Sequence, residues 1–216
     1  MEILKEIVDV FLHLDKYLNN IILDYGFWTY LILFLVIFIE TGFVIMPFLP
    51  GDSLLFAAGS FAALGSLNLL YLLLLLFVAA VVGDTLNYMI GKAIGPRVFR
   101  RDYWFVKREH LLKTQEFYVK HGGKTIIFAR FIPIIRTFAP FVAGVGTMEY
   151  SKFIFYNLIG GAVWVAGLTL LGYFFGQIDF VQKNFELVIL SIIFISILPP
   201  VIEFIKHKFF TKETSV

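Results

Sequence analysis

Ala129-Arg130-Phe131-Ile132-Pro133-Ile134-Ile135-Arg136-Thr137-Phe138-Ala139-Pro140-Phe141-Val142-Ala143-Gly144 is an apolar stretch that carries two arginines and is broken twice by proline. Charge at the centre of a bilayer costs about 2.5–3.5 kcal/mol per Arg or Asp on the insertion scale. Such residues face a bundle interior or a water-filled cavity and find partners there. The stretch therefore poses two questions to the rest of the chain: what pairs with Arg130 and Arg136, and what passes between them.

The chain of 216 residues is 59% hydrophobic and only 16% charged, with a mean hydropathy of +0.85. Soluble domains carry about 45–50% apolar and about 25% charged residues. The apolar excess is gathered into runs at 67–83, 153–176 and 187–202. This distribution predicts an all-α integral membrane protein with a handful of spans. The chain has no cysteine, which excludes disulfides, thiolate metal sites and a cysteine nucleophile. The start, Met1-Glu2-Ile3-Leu4-Lys5-Glu6, is acidic and unlike the basic beginning of a cleavable signal peptide.

Residues 1–24 predict an amphipathic helix, with Ile3, Ile7, Phe11, Leu14, Leu18 and Ile21 on one side and Lys5, Asp9, His13, Lys16 and Asn20 on the other. It would lie along the membrane surface or pack on the remainder of the protein. Residues 25–205 form the membrane domain. Its first apolar run, 27–47, is interrupted by Glu40 and breaks at Pro47-Phe48-Leu49-Pro50-Gly51-Asp52. The apolar piece that follows, 54–64, would be about 16 Å long as a helix, too short for about 30 Å of hydrocarbon. Residues 28–64 thus predict a re-entrant hairpin, and 125–145, broken by Pro133 and Pro140, predict a second. Full spans are expected at about 67–91, 151–176 and 184–205. The segment 92–124 holds nine Lys/Arg against three acids, Asp102, Glu109 and Glu116, and the tail 206–216 is basic. Both belong in the cytoplasm by the positive-inside rule. The two hairpins then enter from opposite faces, an inverted-repeat arrangement whose broken helices point to a transport site near the midplane.

The first hairpin supplies Glu40 and Asp52, the second Arg130 and Arg136. If the tips meet, two acids and two bases partly neutralise one another. Arginines in such a place suit phosphate, which a guanidinium recognises at two points, and the carboxylates can exchange protons. The alternatives are purely structural ion pairs or side chains snorkelling to an interface. Pro50, Gly51, Pro133 and Pro140 shape the breaks. Asp84 sits toward the cytoplasmic end of its span, where a helix-end role competes with a functional one. Asn157 and Trp164 read as packing or interface residues with a supporting role open for Asn157. Glycines 83, 91, 160, 161, 167, 172 and 176 suit close helix approach. His13, His110, His121 and His207 are scattered, so no metal and no cofactor are expected. The basic segment can attract anionic membrane lipids. No basic folded module stands apart from the membrane, which excludes nucleic acid as a partner. The pattern sets no oligomeric state.

Glu40, Pro47-x-x-Pro50-Gly51-Asp52, Gly59, Gly83-Asp84, Tyr88 and Gly91 make up the first half of a longer pattern. Phe128-x-Arg130-x-x-Pro133-x-x-Arg136, Pro140, Ala143-Gly144, Met148, Phe153, Asn157 and Gly172-Tyr173 complete it. Taken together and in order, they resemble the DedA family, bacterial inner-membrane proteins that share the VTT (SNARE-associated Golgi protein) domain with eukaryotic lipid scramblases. The resemblance covers about 10–205. It implies facing re-entrant hairpins and transport of undecaprenyl phosphate, a polyprenyl-phosphate carrier, or of phospholipid, linked to the proton motive force. It carries the family's functional acids and arginines onto Glu40, Asp52, Arg130 and Arg136. A proton-coupled exporter of small solutes or drugs is the alternative, and it needs an aqueous path for its whole substrate. A lipid-phosphate phosphatase would need a histidine nucleophile, and neither hairpin contains a histidine; an enzyme is not expected.

Overall fold

The computed structural model describes residues 14–43, 51–94, 118, 121–146, 148–185, 187–192 and 194, and every regular element among them is helical. Helix α1 (Leu14–Tyr25) ends at Gly26, whose φ of +51° suits the left-handed helix stop that glycine adopts without strain. Leu18 is buried in the core while Tyr17, Leu23 and Tyr25 are exposed. The Thr29 hydroxyl donates to the Ile21 carbonyl at 3.2 Å, tying α1 to the next helix. The described part of the amphipathic segment is thus packed on the protein through Leu18; residues 1–13 lie outside the described residues.

Next come α2 (Trp28–Gly42) and α3 (Gly51–Ala63), the two arms of the first predicted hairpin. Its tip, 44–50, including Pro47 and Pro50, lies outside the described residues. The long α4 (Leu69–Ile94) follows. After a 3-10 turn at Gly122–Lys124 come the short α5 (Thr125–Ala129) and α6 (Pro133–Val145), then the long α7 (Tyr150–Phe175) and the short α8 (Asp179–Lys183). At 26 residues each, α4 and α7 are long and apolar enough to cross a membrane. They reach about 39 Å, against about 20 Å for the 13-residue α3 and α6. The expected span 67–91 is therefore shifted and lengthened. The expected third span is helical where described, at 185, 187–192 and 194. Most of the basic segment and the whole tail lie outside the described residues.

The arms do not pack mainly on each other. α2 lies on α4, and α5 lies on α7, so each first arm rests on the long helix that follows it. The second arms cross over: α3 packs on α7, and α6 packs on α4. Both crossings bring main chains into contact at glycine. A Cβ on Gly59 would overlap the Thr169 carbonyl, and one on Gly172 the Phe56 carbonyl; Gly91 faces the Phe141 carbonyl and Gly144 that of Tyr88 in the same way. Gly167 differs from expectation, with nothing within 4 Å of a built Cβ.

Polarity is arranged inside out. Glu40, Asp84, Arg130, Arg136, Asn87 and Asn157 are buried, while Leu74, Val78 and Val82 of α4 and Phe155, Ile159 and Val163 of α7 are exposed. A surface helix in water turns its polar side outward. Contiguous apolar stripes on the outside mark a surface made for lipid or another apolar partner.

Candidate functional site

The site is assembled where the four hairpin arms meet the middles of α4 and α7. Ile132 precedes a proline and is accordingly extended (φ −123°, ψ 103°), and Pro133 opens α6 as a first-turn proline. This break places Arg136 in the first turn, its N–H bonded to the Ile132 carbonyl at 2.8 Å. Pro140 lies inside α6 and has no N–H to offer the Arg136 carbonyl four residues back. The guanidinium reaches across to both arms of the first hairpin. Nη1 donates to Asp52 Oδ1 at 2.7 Å, and Nη2 donates to Glu40 Oε1. Glu40 comes from the last turn of α2 and Asp52 from the first turn of α3. Gly51 makes this possible: any Cβ there would collide with the Glu40 carboxylate. That carboxylate rests at the N-terminal end of α3, where the helix dipole favours negative charge.

Arg130 follows the last residue of α5 and forms a second pair. Its Nη2 donates to Asp84 Oδ2 and to Asn157 Oδ1, both at 2.6 Å. Asn157 of α7 in turn donates through Nδ2 to the Val81 carbonyl at 3.0 Å. A Cβ on Gly160 would come within 3.2 Å of Arg130 Cδ and Nε, so the glycine leaves room for the side chain. Trp164 adjoins both pairs. Its ring lies 5.0 Å from Arg136 Cζ and 5.7 Å from Arg130 Cζ, within the range of a cation–π contact. Its Nε1–H donates to Asp52 Oδ1 at 2.9 Å. Asn87 ties α2 to α6, donating to the Thr41 carbonyl at 3.3 Å and the Thr137 carbonyl at 2.8 Å.

Water is almost absent from these side chains: 0% of Glu40, 1% of Arg130, 3% of Asp84 and 4% of Arg136 is exposed, against 19% of Asp52. Asp52 is thus the member nearest solvent. Burying such charges is repaid only where geometry is good and further hydrogen bonds are made. Here several atoms lack a partner: Asp84 Oδ1, Arg136 Nε, and Arg130 Nε and Nη1. In these two ion-pair sets three carboxylates face two guanidinium groups, so the fully ionised cluster carries one net negative charge. Among the described residues no three His, Cys, Asp or Glu side chains are placed to hold a metal ion.

The structure brings together Glu40, Asp52 and Arg136, but it divides the predicted quartet. Arg136 takes both acids, and Arg130 turns instead to Asp84. Asp84 lies well inside its helix, ten residues before Ile94, because α4 runs farther than the predicted span. Asn157, read mainly as a packing residue, is the neutral partner of Arg130. Trp164, read as a packing or interface residue, is buried and lies against both guanidinium groups. The available signal was spacing: Trp164 stands seven residues after Asn157, two turns along one face of the same helix. Pro50 lies outside the described residues, and Pro133 contributes through its backbone.

The VTT domain family matches residues 49–174, which takes in Asp52, Asp84, Arg130, Arg136, Asn157 and Trp164 and begins after Glu40. Protein DedA of Escherichia coli K12 is 52% identical over 211 residues, 96% of each chain. An uncharacterized membrane protein of Mycobacterium leprae is 42% identical over 168 residues, 77% of this chain and 75% of that one. The inner membrane protein YqjA of Escherichia coli K12 is 34% identical over 149 residues, 68% of each chain. No solved structure matches. With more than half its length matched by the domain and one relative aligned almost end to end, this chain belongs to the DedA family of VTT-domain membrane proteins.

Proposed function

We propose that the protein is a transporter, not an enzyme, that carries a lipid phosphate across the bacterial inner membrane together with protons. The substrate is a polyprenyl-phosphate carrier such as undecaprenyl phosphate, or a phospholipid. The observation that carries this reading is the way Arg136 is held. Its two terminal nitrogens bind one oxygen each from two separate carboxylates, Glu40 and Asp52. Two oxygens of a single phosphate would take the same two positions, since the guanidinium fork matches that geometry. The site is thus occupied by its own acids, and protonating them frees the fork. The apolar outer faces of α4 and α7 support a route in which the lipid tail stays in the bilayer while the headgroup crosses between the hairpins.

In this reading the hairpins at 28–64 and 125–145 re-enter from opposite sides and do not cross, and 92–124 and the C-terminus are cytoplasmic. The short α3 and α6 support the first point. The similarity to YqjA, an inner membrane protein of Escherichia coli, supports the location. The test is reconstitution of purified protein in liposomes carrying labelled polyprenyl phosphate, phospholipid or a water-soluble drug. Headgroup translocation of the phosphate lipid that stops in Arg136→Ala is the expected result. Movement of the soluble solute alone would replace this reading with an exporter.

A further inference from the structure

Arg130 and Asp84 are paired in an unusual manner for two groups so deeply buried. They touch through one atom on each side, Nη2 to Oδ2 at 2.6 Å. The other carboxylate oxygen, Asp84 Oδ1, and two guanidinium nitrogens, Arg130 Nε and Nη1, are buried without a partner. An ion pair kept only to hold a fold repays its desolvation best when its remaining donors and acceptors are satisfied. This pair leaves three atoms unsatisfied. Arg136 leaves one guanidinium nitrogen, Nε, without a partner and divides its two terminal nitrogens between two acids. Asn157 also differs from Asp84: it is neutral, it shares Arg130 Nη2, and it is anchored to α4 through the Val81 carbonyl. It can keep Arg130 in place when the charged partner is gone.

Resting on the lipid-phosphate reading above, we propose that Asp84 is the exchangeable counter-ion of Arg130, a positioning residue that a phosphate oxygen displaces when the headgroup binds and that displaces the headgroup when it leaves. A phosphate monoester, the headgroup of a polyprenyl phosphate, carries more charge and more acceptor oxygens than the carboxylate, enough to reach the nitrogens that Asp84 leaves bare. Asp84 then competes with the substrate inside the protein. It lowers affinity and raises the rate of release. The Trp164 ring adjoins both guanidinium groups, and Arg130 receives the anion through nitrogens of its own beside the Arg136 fork.

The test pairs two substitutions of opposite sign in the full-length protein. Asp84→Asn removes the competitor; Asn157→Asp adds a second one at the same nitrogen. Binding of a short-chain prenyl phosphate, inorganic phosphate and the matching prenyl alcohol is measured by titration calorimetry in detergent, and turnover is measured in liposomes. Asp84→Asn should bind the prenyl phosphate about tenfold more tightly and turn over more slowly at saturation, and Asn157→Asp should bind it about tenfold more weakly. A gain seen only with the prenyl phosphate supports the proposal with a lipid headgroup as ligand; an equal gain with inorganic phosphate supports it with the free anion. Affinity unchanged or lowered in Asp84→Asn, with wild-type binding intact, overturns it and leaves the transport reading standing. Absence of any phosphate binding by the wild type defeats the transport reading itself. Failure of both variants to fold even with phosphate supplied would assign Asp84 to holding the fold and overturn the proposal.

Discussion

Replacing Arg136 by lysine keeps the charge and removes the fork. A single ammonium cannot stand where Nη1 and Nη2 stand, one facing Asp52 and the other Glu40. One charge-assisted hydrogen bond is lost, worth about 1.5–3 kcal/mol, so lipid-phosphate transport in Arg136→Lys should fall by about ten- to a hundredfold at matched protein levels. Full activity in liposomes would remove phosphate recognition from its role. Trp164 separates ring from donor. Trp164→Phe keeps an aromatic face for both guanidinium groups and loses the Nε1–H to Asp52; Trp164→Leu loses both, and its transport should be the lower of the two. These residues were unequally legible in the sequence. Arg130, Arg136, Glu40 and Asp52 stand out because ionisable groups in apolar runs demand an explanation. Trp164 does not, since a tryptophan in an apolar span is ordinary and its role depends on one N–H meeting one carboxylate across the fold. The partner of Arg130 was hidden for the same kind of reason. Which acid it meets depends on the rotation of α4, and a periodicity argument over a helix apolar nearly all round does not fix that rotation.

Among the elements, the breaks were written locally and the pairings were not. Pro133 announces the break before α6 by the extended conformation it favours in Ile132, whereas the second expected break, at Pro140, is absent: α6 runs through that residue and gives up one backbone hydrogen bond there. The end of α4 was harder, because Lys92 lies beyond the apolar run yet within the helix. Glycine spacing says that a helix is approached closely, and it does not say by which neighbour. In the structure Gly59 and Gly172 seat α3 on α7, and Gly91 and Gly144 seat α6 on α4. Gly59→Ala and Gly144→Ala should therefore each push a second arm off its long helix. The expected loss is about 1–3 kcal/mol, the range for overpacking a tight contact, read as a lowered melting temperature in detergent. Gly167→Ala is the matched control. Its Cβ meets nothing within 4 Å, and an alanine there should leave stability unchanged or raise it by about 1 kcal/mol through helix propensity. Equal destabilisation at all three positions would show that helix propensity or bilayer insertion, and not close packing, governs these sites.

At the scale of the whole molecule, orientation and proton coupling belong together, because sidedness decides which face of the protein meets the protons and the lipid of each compartment. The chain has no cysteine, so single ones report cleanly. His110→Cys in the basic segment should react with a membrane-impermeant maleimide only after the cytoplasmic face is opened; labelling from outside intact cells would invert the arrangement. The charge of the cluster then sets the sign of coupling. In the two ion-pair sets among the described residues, three carboxylates face two guanidinium groups, and an anionic headgroup adds negative charge to them. The phosphate can take the Arg136 fork only as Glu40 and Asp52 give it up, and they give it up most readily as neutral acids. Protons and phosphate should accordingly be taken up from the same side and cross together, with Asp52, the more exposed acid, as the route to water. Transport should rise as the pH falls on the side from which the lipid is taken, and an uncoupler should abolish accumulation against a gradient. Glu40→Gln and Asp52→Asn keep the shape and some hydrogen bonding but cannot ionise. Each also leaves Arg136 less compensated, so the comparison is between pH profiles at matched protein levels. Flattened profiles in both variants are expected. A wild-type profile and wild-type uncoupler response in both would make the carboxylates fixed counter-ions and the protein a passive scramblase.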